Sequence, residues 1–129
     1  MSKHTIPQQE AMNYPCLADS ACEQLRYLFG TMVEITLYLG RQEGFWVSGY
    51  ELIVHGRLKR LVYRKLSASR KWGEYPTKER AILDTLTCLN TVLYVYRLQP
   101  IDNEQAFADS MKRLSDQVLL MKGIQMEIF

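Results

Sequence analysis

The residues whose chemistry is clearest are lysines and arginines, and many of them are concentrated in one short stretch. Residues 55–71 read HGRLKRLVYRKLSASRK and carry seven of the 16 lysines and arginines but none of the 14 acidic residues. A chain that separates its charges in this way presents a positive surface to an anionic partner. We call this stretch the basic segment, and its cations are Arg57, Lys59, Arg60, Arg64, Lys65, Arg70 and Lys71.

The chemistry available to the basic segment is recognition of phosphates or carboxylates. Each guanidinium can donate two parallel hydrogen bonds to such a group. On a helix, the column formed by Arg57, Arg60, Arg64 and Lys71 would lie within about a 60° arc. Trp72 follows the segment and could stack on an unpaired base. We therefore predict a binding site for nucleic acid, RNA or DNA, or for a ribonucleoprotein, formed by the seven cations and Trp72.

Three other interpretations of the basic segment stay open. The same arginines could dock on an acidic protein partner, as in an adaptor or an inhibitor. They could instead form a solvated face that pairs with acids of the chain such as Glu79, Asp84 or Asp109. Apolar residues left exposed by the fold could form a homo-oligomer, which is compatible with either kind of partner. Binding to a membrane is ranked lower, because the apolar face of the segment is needed for a core.

No enzyme activity is predicted. Glu51 and His55 are four residues apart, so on a helix a carboxylate would lie beside an imidazole, but a routine surface pair explains this spacing. The chain has no Cys-x-x-Cys, no glycine-rich phosphate loop and no G-x-S-x-G motif. The sequence therefore predicts no catalytic residue, no metal and no cofactor.

The cysteines and the start of the chain indicate a cytoplasmic protein. Cys16, Cys22 and Cys88 are odd in number, which favours free thiols in a reducing compartment. The first residues are polar and lack the apolar region of a signal peptide.

Four amphipathic helices are predicted to position these groups, over residues 20–39, 45–66, 77–98 and 102–123. The first begins with a Ser20–Glu23 capping box and has apolar residues at alternating spacings of four and three. Thr77 and Asp102 are predicted to cap the third and fourth helices, and Gly123 to end the fourth. The basic segment then falls on the second helix and the loop that follows it.

The predicted architecture is an all-α four-helix bundle with one apolar stripe per helix facing a common core. Residues 1–16 form a flexible arm, residues 17–123 the helical domain and residues 124–129 a short extended tail. In chain length, helix count and a basic second helix, this arrangement resembles the small four-helix-bundle accessory proteins that assist the reverse transcriptases of diversity-generating retroelements. The likeness involves no shared motif and implies only an accessory role beside nucleic acid.

Overall fold

The protein is a two-layer fold in which a four-stranded antiparallel sheet is followed by two helices. The computed structural model describes residues 15–56, 60–96 and 103–127. After a short 3-10 helix at Asp19–Ala21 come strands β1 (Glu23–Phe29), β2 (Val33–Gln42), β3 (Phe45–His55) and β4 (Arg60–Leu66). A second 3-10 helix, Arg70–Trp72, leads to helices α1 (Lys78–Tyr96) and α2 (Glu104–Glu127).

The prediction of an all-α four-helix bundle is therefore wrong, and the error lies in the first half of the chain. The region predicted as the first helix contains β1 and β2, and the region predicted as the second contains β3 and β4. The last two helices are confirmed, and the Thr77 hydroxyl caps α1 by accepting from the Arg80 amide at 3.1 Å. Asp102, the predicted cap of the fourth helix, lies outside the described residues, and the Asn103 side chain caps α2 by accepting from the Ala106 amide at 3.0 Å. Helix α2 continues past Gly123 to Glu127, so residues 124–127 are not an extended tail.

The strands form a simple meander in the order β1-β2-β3-β4. Gln42 pairs with Phe45, so β2 and β3 are joined by a two-residue turn, Glu43-Gly44. Both turn residues have positive φ, 53° and 83°, as a type I′ hairpin requires. The other end of β2 is held by α2, because the Met32 amide donates to the Ser110 hydroxyl at 3.2 Å.

The core lies between one face of the sheet and the helix pair. Alternate residues of β2 point toward the helices and are fully or almost fully buried, namely Val33, Ile35, Leu37 and Leu39. They belong to one cluster with apolar side chains of both helices, including Leu86, Leu89, Leu93, Phe107 and Leu114. These helix-facing residues recur with a period of two, as on one face of a strand, whereas a helix would bring every third or fourth residue to the core.

Part of the opposite sheet face is covered by the segment that precedes β1. Tyr38, Val47 and Ala68 form a small buried cluster, against which Leu17 and Cys22 pack. The Leu17 amide donates to the Ala68 carbonyl at 2.8 Å, which ties this segment to the chain beyond β4. Neither helix, over the residues described, combines the length and apolarity required to cross a membrane.

Candidate functional site

The basic segment does not form one helical column of arginines. Arg60 pairs with His55 and Arg64 pairs with Leu52, across a register shift between Leu52 and Ile53. Those two positions of β3 are three residues apart and so lie on opposite faces of the sheet. Positions 60 and 64 of β4 therefore belong to opposite faces of the sheet. Arg57, Lys59 and the side chain of Arg60 lie outside the described part of the chain.

Two of the predicted binding residues are neutralised by carboxylates. The Lys65 ammonium lies 2.6 Å from Asp19 Oδ2, and this hydrogen bond raises the pKa of Lys65. The Arg70 guanidinium pairs with Glu74, whose carboxylate is almost completely buried. A buried carboxylate requires a cation, so Arg70 is a structural residue of its turn rather than a free phosphate ligand. The intramolecular pairing considered for the segment thus occurs, though with other acids.

Two other cations of the segment, Arg64 and Lys71, lie near one aromatic ring. The ammonium of the exposed Lys71 lies 5.9 Å from the centre of the Trp72 ring. Arg64 is exposed and lines the same groove as Trp72. Within the part of the chain that the structure describes, no carboxylate pairs with Arg64 or Lys71. We call Arg64, Lys71 and Trp72 the Trp72 cluster.

Several hydrogen bonds hold Trp72 in place on the turn after β4. Its indole Nε1 donates to the Ser67 carbonyl at 2.7 Å, and its amide donates to the Ser69 carbonyl at 3.2 Å. The Ser69 hydroxyl accepts from the Lys71 amide at 3.1 Å. Trp72 nevertheless remains 39% exposed. An indole that is fixed yet partly exposed loses little conformational freedom when a flat ligand stacks on it.

A groove of about 370 Å³ opens beside the cluster, between the β3–β4 side of the sheet and α1. We call it the β4 groove. Its floor consists of four buried side chains that all bear a hydroxyl, namely Ser48, Tyr50, Tyr75 and Thr85. Its rim carries two charged groups, Arg64 on the sheet side and Asp84 on the helix side. The groove falls at the small end of the usual range for ligand sites, roughly 300–1,000 Å³.

Tyr75 joins the floor to the sheet. Its backbone forms a two-way bridge with Trp46 of β3, with both N–H···O distances at 2.9 Å. Its hydroxyl hydrogen-bonds Ser48, and Ser48 Oγ lies 2.8 Å from Thr85 Oγ1. Burial, reinforced by the negative charge of Asp84, raises the pKa of Tyr75 to about 12.

This pKa predicts a loss of stability in alkali. The unfolded chain ionises at the ordinary tyrosine value of 10.0, whereas the folded chain keeps the Tyr75 proton until about 12. The stabilisation is complete below the lower value and is lost as pH rises through the upper one, to a total of about 3 kcal/mol. Urea unfolding between about pH 9 and pH 12 measures it, with Tyr75→Phe as the control. An equal alkaline loss in that variant would contradict the assignment.

His55 has a different carboxylate partner from the one its sequence spacing indicates. His55 Nε2 lies 3.0 Å from Glu34 Oε1, and Arg26 Nε donates to Glu34 Oε2, also at 3.0 Å. Glu51 instead lies opposite Lys65 in the register of β3 and β4. Glu34 is 5% exposed and sits on the sheet face away from the helices, so this group does not belong to the β4 groove.

Comparison with models of protein families, with curated proteins and with solved structures found no match. The site must therefore be interpreted from its own chemistry. The described residues contain no group of three or more histidines, cysteines or acids arranged to hold a metal ion. What the groove offers is a row of hydroxyls, one cation, one anion and an aromatic ring.

Arg64, Lys71 and Trp72 are among the eight candidate residues predicted from the sequence, but the prediction placed the arginines on a helix and did not include the groove. The floor residues come from β3, from α1 and from the segment between them, so only the folded chain brings them together. One signal was present in the sequence, because Asp84, Thr87, Cys88 and Thr91 follow the i, i+3, i+4, i+7 spacing of a single helix face. All four line the groove.

Proposed function

We propose that the protein binds single-stranded nucleic acid through the Trp72 cluster. The observation that carries the proposal is the position of Arg64 and Lys71, which lack carboxylate partners among the described residues and lie beside a partly exposed indole. Proteins that bind single strands combine cations along the backbone path with aromatic rings on which bases stack. The protein would act as an accessory factor and not as an enzyme.

A single strand suits this surface better than a duplex does. The described part of the basic segment forms a strand at the sheet edge and a turn, so this part supplies no basic α-helix to enter a major groove. An indole can stack only on a base that is not already stacked within a helix. Arg64 and the Trp72 ring, which share one groove, would meet a phosphate and a base of the same strand.

The first test is the salt dependence of binding to a labelled single-stranded oligonucleotide, followed by fluorescence anisotropy. We expect affinity to fall linearly on a log–log plot, with a slope of about −0.7 for each phosphate contacted. The double variant Arg64→Glu, Lys71→Glu should bind at least about tenfold more weakly and with a shallower slope. The control Lys112→Glu, Lys122→Glu changes the charge equally on exposed positions of α2 and should bind like the wild type.

A second prediction concerns stacking. Trp72→Ala should weaken binding by about tenfold, because stacking of one base on an aromatic ring contributes about 1–3 kcal/mol. Trp72→Phe keeps a stacking ring but loses the indole bond to Ser67, so it separates stacking from the structural role of that bond. If the two variants bind equally weakly, Trp72 stabilises the turn through its indole hydrogen bond and does not stack on a base. Binding that is indifferent to salt and to the charge reversal would refute the proposal.

An acidic protein segment is the second candidate partner. β4 is an edge strand of the described sheet, and edge strands can accept an extended peptide by backbone pairing. A peptide rich in Asp and Glu that binds competitively with the oligonucleotide would favour an adaptor or inhibitor. Self-association of the chain stays a prediction, which light scattering tests. Among the described side chains of α2, the exposed apolar ones that would mediate it are Leu119, Leu120 and Ile124.

A further inference from the structure

A further exposed cation lies outside the basic segment, at Arg41 near the end of β2. Its guanidinium lies 5.1 Å from the centre of the Trp46 ring, and its Nη2 donates to the Gly44 carbonyl at 2.9 Å. Among the described residues, no carboxylate pairs with it. Lys78, the other cation beside the Trp46 ring, is in contrast paired with Glu23 at 3.1 Å. A guanidinium has five N–H groups, so Arg41 can bind an anion while it keeps its bond to Gly44.

The pairing of the strands places Arg41 in one row with the floor of the β4 groove. Arg41 is opposite Trp46 in the register of β2 and β3, and Trp46 is bridged to Tyr75 on the other side of β3. Residues directly opposite each other point to the same face of a sheet, so these three side chains share one face. This face also carries Ser48 and Tyr50, which line the groove together with Tyr75. The row therefore leads from Arg41 across Trp46 into the groove.

The length of this row suits a short stretch of single strand. Neighbouring strands lie about 4.8 Å apart, so the Cα atoms of Arg41 and Tyr75, two strand positions apart, are separated by about 10 Å. Successive phosphates of one strand are about 3.4 Å apart along a stacked helix, and farther apart when the strand is extended. A strand that contacts Arg64 in the groove therefore reaches Arg41 within a few nucleotides.

A hydrogen bond also ties the end of β2 to the turn that carries the Trp72 cluster. Gln42, the residue after Arg41, accepts through its Oε1 from the Arg70 amide at 2.9 Å. Arg70 belongs to the same 3-10 helix as Trp72. Because the two regions are joined before any ligand binds, a strand that contacts both of them has little ordering of the protein to offset.

We propose that Arg41 contacts a further phosphate of the single strand held at the Trp72 cluster, so that the strand passes from the β4 groove across Trp46 to the end of β2. This proposal rests on the single-strand binding proposed above and adds the path of the strand to it. Arg64 and Arg41 bind different phosphates, because Trp46 and Tyr75 lie between them. A ligand too short to span these two residues gains nothing from Arg41.

The experiment measures the salt dependence of binding for a labelled single strand of about eight nucleotides. Arg41→Gln should weaken binding by about tenfold at low salt, because it removes a charged hydrogen bond. It should also make the log–log slope shallower by about 0.7, the value for one phosphate contact. Arg41→Lys keeps the charge and should keep the slope. Lys122→Gln is the matched control: it removes one charge from an exposed position of α2 and should leave affinity and slope unchanged.

A dinucleotide distinguishes a phosphate contact from an effect on the fold. It is too short to reach from the Trp72 cluster to Arg41, so its ability to displace the labelled strand should differ by less than about twofold between Arg41→Gln and the wild type. An equal loss for the dinucleotide and the longer strand would overturn the proposal. Arg41 would then act by holding the hairpin against the turn of Trp72, through Gln42 and Arg70.

The outcomes separate the two proposals. If no strand binds, the single-strand function fails and the proposed path fails with it. If Arg64→Gln makes the slope shallower and Arg41→Gln leaves it unchanged, the function stands and the path is overturned. A shallower slope in Arg41→Gln that is absent in Arg41→Lys and in Lys122→Gln supports the path.

Discussion

Glu74→Ala is expected to lower the free energy of unfolding by about 3 kcal/mol. Glu74 is 2% exposed and its carboxylate pairs with the Arg70 guanidinium, whose side chain is itself only 12% exposed. Removal of one partner from a buried ion pair leaves an uncompensated charge, which typically costs about 3–5 kcal/mol. The lower end of that range applies, because Arg70 keeps some contact with water. Urea unfolding measures the change.

Two further variants make the test specific. Asp109→Ala breaks a comparable i, i+4 pair on the surface of α2, where Arg113 Nε lies 2.9 Å from Asp109 and both side chains are about half exposed. Its cost should stay below about 1 kcal/mol. The double variant Arg70→Met, Glu74→Leu replaces both charges with apolar groups and should recover more than half of the lost stability.

The double variant also tests the role of Arg70 in binding. Because Arg70 is occupied by Glu74, its loss together with that partner should change oligonucleotide affinity by less than about twofold. A large loss of affinity in a well-folded double variant would show that Arg70 contacts the oligonucleotide. A stability loss below about 1 kcal/mol for Glu74→Ala would show that the pair is not sealed from water.

The sequence predicts the helical half of the fold and fails on the sheet for an identifiable reason. Residues 33–39 satisfy a helical stripe through Ile35 and Leu39 and an equally good alternation from Val33 to Leu39. The pairing of β2 with β1 and β3 decides between the helical and the strand pattern. In the resulting sheet Leu28, which belongs to the apolar stripe of the predicted first helix, is 63% exposed. The hairpin turn Glu43-Gly44 is the local signal that would have favoured strands. No comparable alternation competes with the helical spacing of α1.

The site is predictable to the extent that its contacts are local. Arg70 and Glu74 are four residues apart, so their pairing can be anticipated from the sequence. Lys65 and Asp19 are 46 residues apart, and only the position of the segment before β1 joins them. The same limit applies to the groove, whose floor combines residues of β3 with Thr85 of α1. Unpaired cations are therefore identified in the folded chain and not in the composition.

The other large effect is expected at Gly49, where β3 passes under the chain that leaves β4. A Cβ at this position would lie 2.4 Å from both the Leu66 carbonyl oxygen and the Ala68 amide nitrogen. These are backbone atoms, so they cannot rotate away as the end of a side chain would. Gly49→Ala should therefore lower the free energy of unfolding by about 3 kcal/mol, at the upper end of overpacking costs.

The same substitution links the sheet to the Trp72 cluster. The crossing at Gly49 brings residues 66–68 close to β3, and Ser67 of that stretch accepts the indole hydrogen bond of Trp72. If Gly49→Ala displaces this stretch, the fluorescence of Trp72 should change and oligonucleotide affinity should fall about as far as in Trp72→Ala. The matched control is Gly123→Ala in α2, where a new Cβ meets nothing within 4 Å. Its helical position predicts a gain of about 0.5–1 kcal/mol. Equal effects of the two substitutions would mean that the crossing does not hold the site in place.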